Sequence, residues 1–304
     1  MTELIKLGSN YSARRNVTSE KPAMEKKVGD KFETGLFLPE GRGRQGEGGL
    51  RTQGNFKASL EGKTLITIVT VVYNGEQFLE ETILSVINQT YDNIEYIIID
   101  GGSTDSTLSV IRKYEHAIDY WVSEKDSGIY DAMNKGIDLA TGEWINFMNG
   151  GDCFFTEMVL NEVFFNDYSE ETDILYGNHQ VRYSSGRKRD VQAGNIKNLW
   201  KGSQFCHQAS FTRANYHKLF KFNLCTKIVA DFEFFYDAWK NQASFKAIPL
   251  TVASFEAGGV SDIKRIDSIL GWWQIVDKSF IVNKYYIFVL VKELLKEIIK
   301  KKAF

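Results

Sequence analysis

The sequence predicts an α/β fold built on a parallel sheet. Three observations carry that expectation. Runs of β-branched and apolar residues recur from Leu65 onward, helical stripes separate them, and Asp or Asn residues end them. Residues 66–73 form the first run, β-branched and apolar, as a buried parallel strand should be. Phe78, Ile83, Val86 and Ile87 then give a helical stripe that stops at Asn88-Gln89-Thr90. Residues 95–100 (EYIIID) read as a second buried strand and 104–114 as a second helix. A short strand over 120–123, a helix over 129–139 and a strand over 143–148 complete two strand–helix–strand units.

Beyond Gly151 the pattern is less regular. Residues 159–165 read as helix, 174–183 and 187–192 as paired strands, and 209–212 as a short strand. A helix is expected over 231–239 and a strand over 245–255, with Pro249 at an edge or bend. The last helical region spans 267–302, where Ile287, Val291, Leu294 and Ile298 make one stripe flanked by Lys292, Lys296 and Lys300. Ten glycines and scattered charges mark residues 1–62, which read as a poorly ordered arm unable to fold alone. The expected organisation is therefore an arm (1–62), an α/β domain (63–260) and a helical extension (261–304).

Composition narrows the function classes. With 37 Lys plus Arg against 39 Asp plus Glu, the net charge of −2 argues against a nucleic-acid binder. Cys153, Cys206 and Cys225 lie far apart without a C-x-x-C pair, so no disulfide framework or zinc ribbon is suggested and a reducing compartment fits. The N-terminus lacks the apolar run of a signal peptide. No stretch reaches the roughly 18 apolar residues of a membrane span. Gly41, Gly43 and Gly46 match G-x-G-x-x-G, but no strand precedes them and no helix follows, so the match reads as composition.

Ligands of open α/β sheets bind beyond the carboxyl ends of the strands. Three predicted strands end there in polar residues: Thr70 to Asn74, Asp100-Gly-Gly-Ser103 and Asn149-Gly-Gly-Asp152. An Asp ending a buried strand can accept hydrogen bonds from a base or ribose. An Asp at a glycine-rich turn can hold a divalent cation against a diphosphate. Capping of the following helices explains either residue alone; their shared sheet edge favours a site.

The blocks TVVYNGE (70–76), SVINQTY (85–91), EYIIIDGGSTDST (95–107), SEKDSGIYDAMNKGI (123–137) and TGEWINFMNGGD (141–152) resemble family 2 glycosyltransferases, in order and spacing. HQASFTR (207–213) and ADFEFF (230–235) extend the likeness downstream, so that it covers roughly 65–256. The variant carrying SEKDSGIYDAMNKG is similar to enzymes of bacterial surface-polysaccharide assembly. The resemblance implies the GT-A fold, a Rossmann-like, mostly parallel sheet flanked by helices, here with a C-terminal helical extension. It implies sugar transfer from a nucleotide sugar, usually UDP-linked, to a saccharide or lipid-linked saccharide acceptor, with Mn²⁺ or Mg²⁺.

Carried over by position, Thr70 and Tyr73 should line the nucleotide pocket, and Asp100 should bond the base. Asp126, Asp131 and Asn134 should contact ribose, phosphates or donor sugar. Asp152 matches the last acid of the D-x-D metal motif, whose first position here is Gly150. Asp231 matches the general base, and its apolar neighbours Phe232, Phe234, Phe235 and Tyr236 are expected to bury it partly and raise its basicity. An ordinary helix N-cap is the bland alternative for Asp231. His207 is either a contact to the diphosphate or metal, or a structural histidine. Two other classes compete. A catalytically inactive nucleotide- or sugar-binding homologue would explain Gly150 but not the joint presence of Asp100, Asp152 and Asp231. A nucleotidyltransferase would be expected to open with a basic glycine loop, where this chain has Tyr73-Asn74-Gly75-Glu76. The lysine-flanked C-terminal stripe packs either on the domain or on a membrane surface. The expected location is cytoplasmic, or peripheral on the cytoplasmic face of the inner membrane.

Overall fold

The computed structural model describes residues 4–5, 7, 11–22, 35–41, 43–58, 60, 62–165, 168, 171–259 and 263–302. Its centre is four parallel strands: β4 (Ile66–Val72), β5 (Ile94–Asp100), β6 (Tyr120–Ser123) and β7 (Trp144–Phe147), in the order β6-β5-β4-β7. All of their residues are buried. Alternate side chains separate onto two faces, which is the period-2 geometry of a strand. Ile66, Ile68, Ile94, Tyr96 and Ile98 pack on one side with α1 (Leu79–Ile87) and α2 (Thr107–Lys113). Val69, Val71, Ile97 and Ile99 pack on the other with α3 (Ile129–Leu139), α5 (Ala214–Leu219) and α6 (Ala230–Lys240). Each fully buried isoleucine contributes roughly 1.5–3 kcal/mol of apolar transfer free energy. Those two layers therefore fix the sheet's position. Gly136 permits α3 to lie on the sheet, since a Cβ there would stand 2.4 Å from a Val69 methyl.

Beyond β7 the sheet continues through β11 (Ser210–Arg213), β9 (Ile174–Arg182), β12 (Phe245–Glu256) and β8 (Asp152–Phe154), with β10 (Lys188–Val191) paired to β9. β11 is antiparallel to both β7 and β9, so β9 and its parallel partner β12 run in the same direction as the central strands. The carboxyl ends of β4, β5, β6, β7, β9 and β12 thus share one edge. β8 runs back from that edge, with Asp152 opposite Phe255. Pro249 sits at a register shift of β12, as expected for a residue with no N–H to give. α4 (Val159–Val163) covers the end of this half.

One expectation needs correction. The described part of residues 1–62 is packed on the domain. β2 (Gly46–Gly48) is an antiparallel edge strand on β6, and β1 (Val17–Thr18) pairs with β3 (Phe56–Lys57). Ala13, Val17, Leu36, Leu50 and Phe56 are buried. The glycines here permit close approach: a Cβ on Gly48 would lie 2.0 Å from Glu115 Oε1 and 2.7 Å from Trp121 Nε1. Arg51, only 3% exposed, reaches Glu95 on β5 at 2.5 Å. A composition poor in apolar residues is stable here because the domain supplies the core. The expectation for 23–34 lies outside the described residues.

The C-terminal helical extension is present as two helices, α7 (Arg265–Ile275) and α8 (Phe280–Lys302). They form a third apolar cluster with Leu199, Phe232 and Tyr236.

Candidate active site

The shared edge carries the candidate residues in two groups. The first surrounds β5 and β6. Asp100 is fully buried; Ser123 Oγ donates to its Oδ2 at 2.6 Å, Ser103 N donates to the same oxygen at 3.1 Å, and the Ser103 hydroxyl donates to Oδ1. Asn74, at φ 50°, receives Thr104 N on its Oδ1 at 2.9 Å and so ties the β4 loop to the β5 loop. Tyr73 stands 63% exposed at the rim. Thr70 does not reach the crevice: it is fully buried and donates to Met148 O at 2.7 Å.

Asp126 lies over the backbone of Gly101, where a Cβ would come within 2.5 Å of its Oδ2. Burial, with Asp131 and Asp100 adding repulsion, raises its pKa against the pull of Gly128 N and Lys135. Asp131 receives Ser127 N at 3.0 Å and lies 3.9 Å from Lys135 Nζ. Asn134 has a different task. Its amide clamps Phe222, donating to the carbonyl at 2.9 Å and accepting from the N–H at 3.0 Å, which leaves it committed to the backbone.

The second group lies between the turn after β7 and the start of α6. Asp152 Oδ2 accepts from Gln208 Nε2 at 2.8 Å, and burial pushes the Asp152 carboxyl up to about 6. His207, beside Gln208 in a short 3-10 turn (His207–Ala209), has both ring nitrogens engaged. Asn149 Nδ2 lies 3.0 Å from Nε2, and Asp231 Oδ2 lies 3.2 Å from Nδ1. Because the Asn149 amide nitrogen can only donate, the fitting tautomer is neutral, with Nδ1–H donating to Asp231. Tyr130 OH donates to Asp231 Oδ1 at 3.0 Å, joining α3 to α6. These contacts form two hydrogen-bonded sets, Asp152–Gln208 and Asn149–His207–Asp231–Tyr130, held together by the adjacency of His207 and Gln208 in the chain.

Asp231 corrects one expectation. Burial alone would raise its pKa, yet the His207 hydrogen bond, the Phe232 amide and the Tyr130 hydroxyl together hold it below the usual carboxylate range. It is ionised at neutral pH by stabilisation of the charged form, not made more basic by desolvation. Nor is it the N-cap of α6, a position held by Val229.

The chain matches the sequence model described as Glycosyl transferase family 2 over residues 67–228, more than half its length. The chain belongs to glycosyltransferase family 2. It is 30% identical over 227 residues to a PGL/p-HBAD biosynthesis glycosyltransferase of Mycobacterium bovis (strain BCG / Pasteur 1173P2), covering 71% of this chain and 82% of that protein. Among solved structures it is similar to S. aureus TarS 1–349 in complex with UDP: TM-score 0.53, 17% identity, 76% of this chain and 70% of that one. A mannosyltransferase from Pyrobaculum calidifontis in complex with GDP-Man and Mn²⁺ superposes with TM-score 0.55 at 16% identity, covering 72% of this chain and 66% of that one. These likenesses show a GT-A fold for this family 2 glycosyltransferase.

Among the described residues no group of three His, Cys, Asp or Glu side chains is placed to hold a metal ion. The donors that fit one are the Asp152 carboxylate and the Asn149 Oδ1, a buried oxygen with no hydrogen-bond partner. One carboxylate with phosphate oxygens and water is an ordinary set for Mg²⁺ or Mn²⁺, so the residues fit a cation shared with a diphosphate. His207 is not free to join it, since both its nitrogens are occupied. The missing first acid has a steric correlate: a Cβ on Gly150 would lie 3.0 Å from a Val72 methyl.

Sequence reasoning overlooked Gln208, Tyr130 and Asn149 as members of these sets. Each lies inside a recognised block, but only tertiary pairing shows that Gln208 serves Asp152 and Tyr130 serves Asp231.

Proposed function

We propose that this glycosyltransferase moves a sugar from a nucleoside diphosphate sugar, UDP-linked, to an acceptor hydroxyl with inversion of anomeric configuration. The observation that carries the reading is that the adjacent residues His207 and Gln208 hydrogen-bond Asp231 and Asp152 respectively. They bring an acid suited to the diphosphate and an ionised base into one site. Asp231 takes the acceptor proton as the hydroxyl oxygen bonds to the anomeric carbon and the bond to the diphosphate oxygen breaks. With one base and no protein nucleophile the displacement is single, hence inverting. His207 and Tyr130 orient the base and keep it ionised. Tyr73, Asp100, Asp126 and Asp131 form the nucleotide and donor side, with Asp100 held rigid by its two serines. Asp152, with Asn149 beside it, would hold Mn²⁺ or Mg²⁺, which supplies charge neutralisation for the leaving diphosphate.

The relative in PGL/p-HBAD biosynthesis and the neighbours bound to UDP or GDP-Man support a nucleotide-sugar donor and a saccharide or lipid-linked saccharide acceptor in cell-envelope polysaccharide or glycolipid assembly. Work in the cytoplasm or at the inner membrane's cytoplasmic face accords with the absence, among the described residues, of any helix long and apolar enough to cross a membrane. A panel of UDP-, GDP- and dTDP-sugars tests the reading through nucleotide release with Mn²⁺ or with EDTA. Metal-dependent release from a UDP-sugar is expected. Release that EDTA leaves unchanged removes the metal role, and exclusive use of a GDP-sugar removes the UDP assignment.

A further inference from the structure

α8 carries two apolar faces, and only one of them is covered. Val282, Tyr286, Val289 and Leu290 dock against Trp272, Trp273 and Leu199, with Tyr286 fully buried. Tyr285 donates to Lys201 O at 3.1 Å, and Trp273 Nε1 to Asn283 Oδ1 at 2.9 Å, so this docking is specific. The opposite face exposes Ile287 (53%), Phe288 (66%), Val291 (50%), Leu294 (47%), Leu295 (54%) and Ile298 (51%). Their spacing of three and four residues makes one continuous stripe along the helix. Such a stripe far exceeds the scattered single apolar residues normal on a surface.

The charges on this helix are sorted. Lys284 lies within the stripe, one turn before Ile287 and Phe288, and Lys292 lies at its margin; both are exposed. The two acids, Glu293 and Glu297, fall at helical positions on the other side. There Glu293 pairs with Lys296 at 2.9 Å and lines a cavity of about 570 Å³. No acid lies within the stripe, and Lys300, Lys301 and Lys302 follow it in sequence.

We propose that this face of α8 lies on an anionic lipid bilayer. A lysine inside an apolar stripe decides against a second copy of the chain. A dry helix–helix seam would bury the Lys284 ammonium with no acid to meet it. At a bilayer surface the same side chain lays its methylenes along the acyl boundary and extends its ammonium to lipid phosphate. Lys292 adds attraction to anionic headgroups. The helix lies on the membrane and does not cross it.

The placement relates the bilayer to the crevice. Glu293 and Lys296 of α8 share their cavity with His179 and Phe255, from the carboxyl ends of β9 and β12, and Phe255 is the strand partner of Asp152. α8 would therefore stand between the bilayer and that stretch of the sheet edge. Docking does not rest on the proposed transfer reaction, and vesicle binding measured without donor tests it alone.

Flotation of the full chain with phosphatidylcholine vesicles, with and without phosphatidylglycerol, tests the inference. Binding to the anionic vesicles is expected, weakened by raised salt and at least roughly tenfold by Lys284→Gln with Lys292→Gln. Phe288→Ser with Leu295→Ser should abolish binding while leaving the thermal midpoint unchanged, because both side chains are already exposed. Three outcomes overturn the proposal: no flotation with anionic vesicles, wild-type binding by the serine variant, or a dimer that the serine variant dissociates in a chain that binds no vesicles.

Discussion

Arg51 makes the N-terminal segment part of the fold, and its removal should be costly. Its guanidinium donates to Leu36 O at 3.0 Å and to Leu139 O at 3.1 and 3.2 Å, and meets Glu95 at 2.5 Å; both charged side chains are 2% exposed. Glu95 also receives Thr67 Oγ1 at 2.6 Å and Thr141 N at 2.8 Å. Burial opposes its charge, but Arg51 and the Thr141 and Thr67 hydrogen bonds hold its pKa below the ordinary value. Arg51→Met removes the cation and leaves a buried carboxylate on the central sheet. Breaking a buried pair in this way costs about 3–5 kcal/mol, while replacing both partners by apolar or neutral groups costs much less. In a domain of this size that corresponds to a fall of roughly 10 °C in midpoint. Urea denaturation of wild type, Arg51→Met and the double variant Arg51→Met/Glu95→Gln measures it. The double variant should recover at least half of the loss. A single-variant cost below about 1 kcal/mol, or no recovery in the double, would refute the claim that the segment is held through this pair.

Asn134→Ala should cost about 2–3 kcal/mol of stability, since it leaves the Phe222 N–H and carbonyl without their partner, and should leave nucleotide affinity unchanged; a stable variant with weakened UDP binding in calorimetry would restore Asn134 to the donor site. His217 is buried, with its ring centroid 4.4 Å from that of Phe234, and burial lowers its pKa to about 4 against an ordinary 6.5. The folded state therefore holds it neutral. Its contribution is complete above pH 6.5 and lost as pH falls towards 4, about 3 kcal/mol in all. Unfolding free energies at pH 7 and pH 4 should accordingly fall less in His217→Gln than in wild type, and equal falls would contradict the assignment.

Much of the fold was legible because the central strands are buried on both faces and so appear as runs dominated by β-branched and apolar residues, as in 66–72 and 94–100. α2 starts at Thr107 and not at 104, because Asp105 Oδ1 accepts Thr107 N at 3.0 Å and Thr104 is bonded to Asn74, which spends those residues on the turn. The N-terminal segment was not legible. Gly46-Glu47-Gly48 has no strand propensity of its own; it pairs at the edge because its glycines fit over Trp121. The break between α7 and α8 at 276–279 was hidden because the apolar character continues on both sides. At the site, the acids at strand ends were visible from the sequence, since topology alone sends them to one edge. What sequence could not show is direction of contact: Thr70 points into the core, Asn134 into the backbone of Phe222, and the pKa of Asp231 depends on His207, Tyr130 and the Phe232 amide.

The most direct test of the central claim is Asp231→Asn, with nucleotide affinity and sugar transfer measured on the same preparation. The substitution keeps the shape and removes the base. UDP affinity should stay within about threefold of wild type while transfer falls by roughly a hundredfold or more. Transfer within about threefold of wild type would contradict the mechanism.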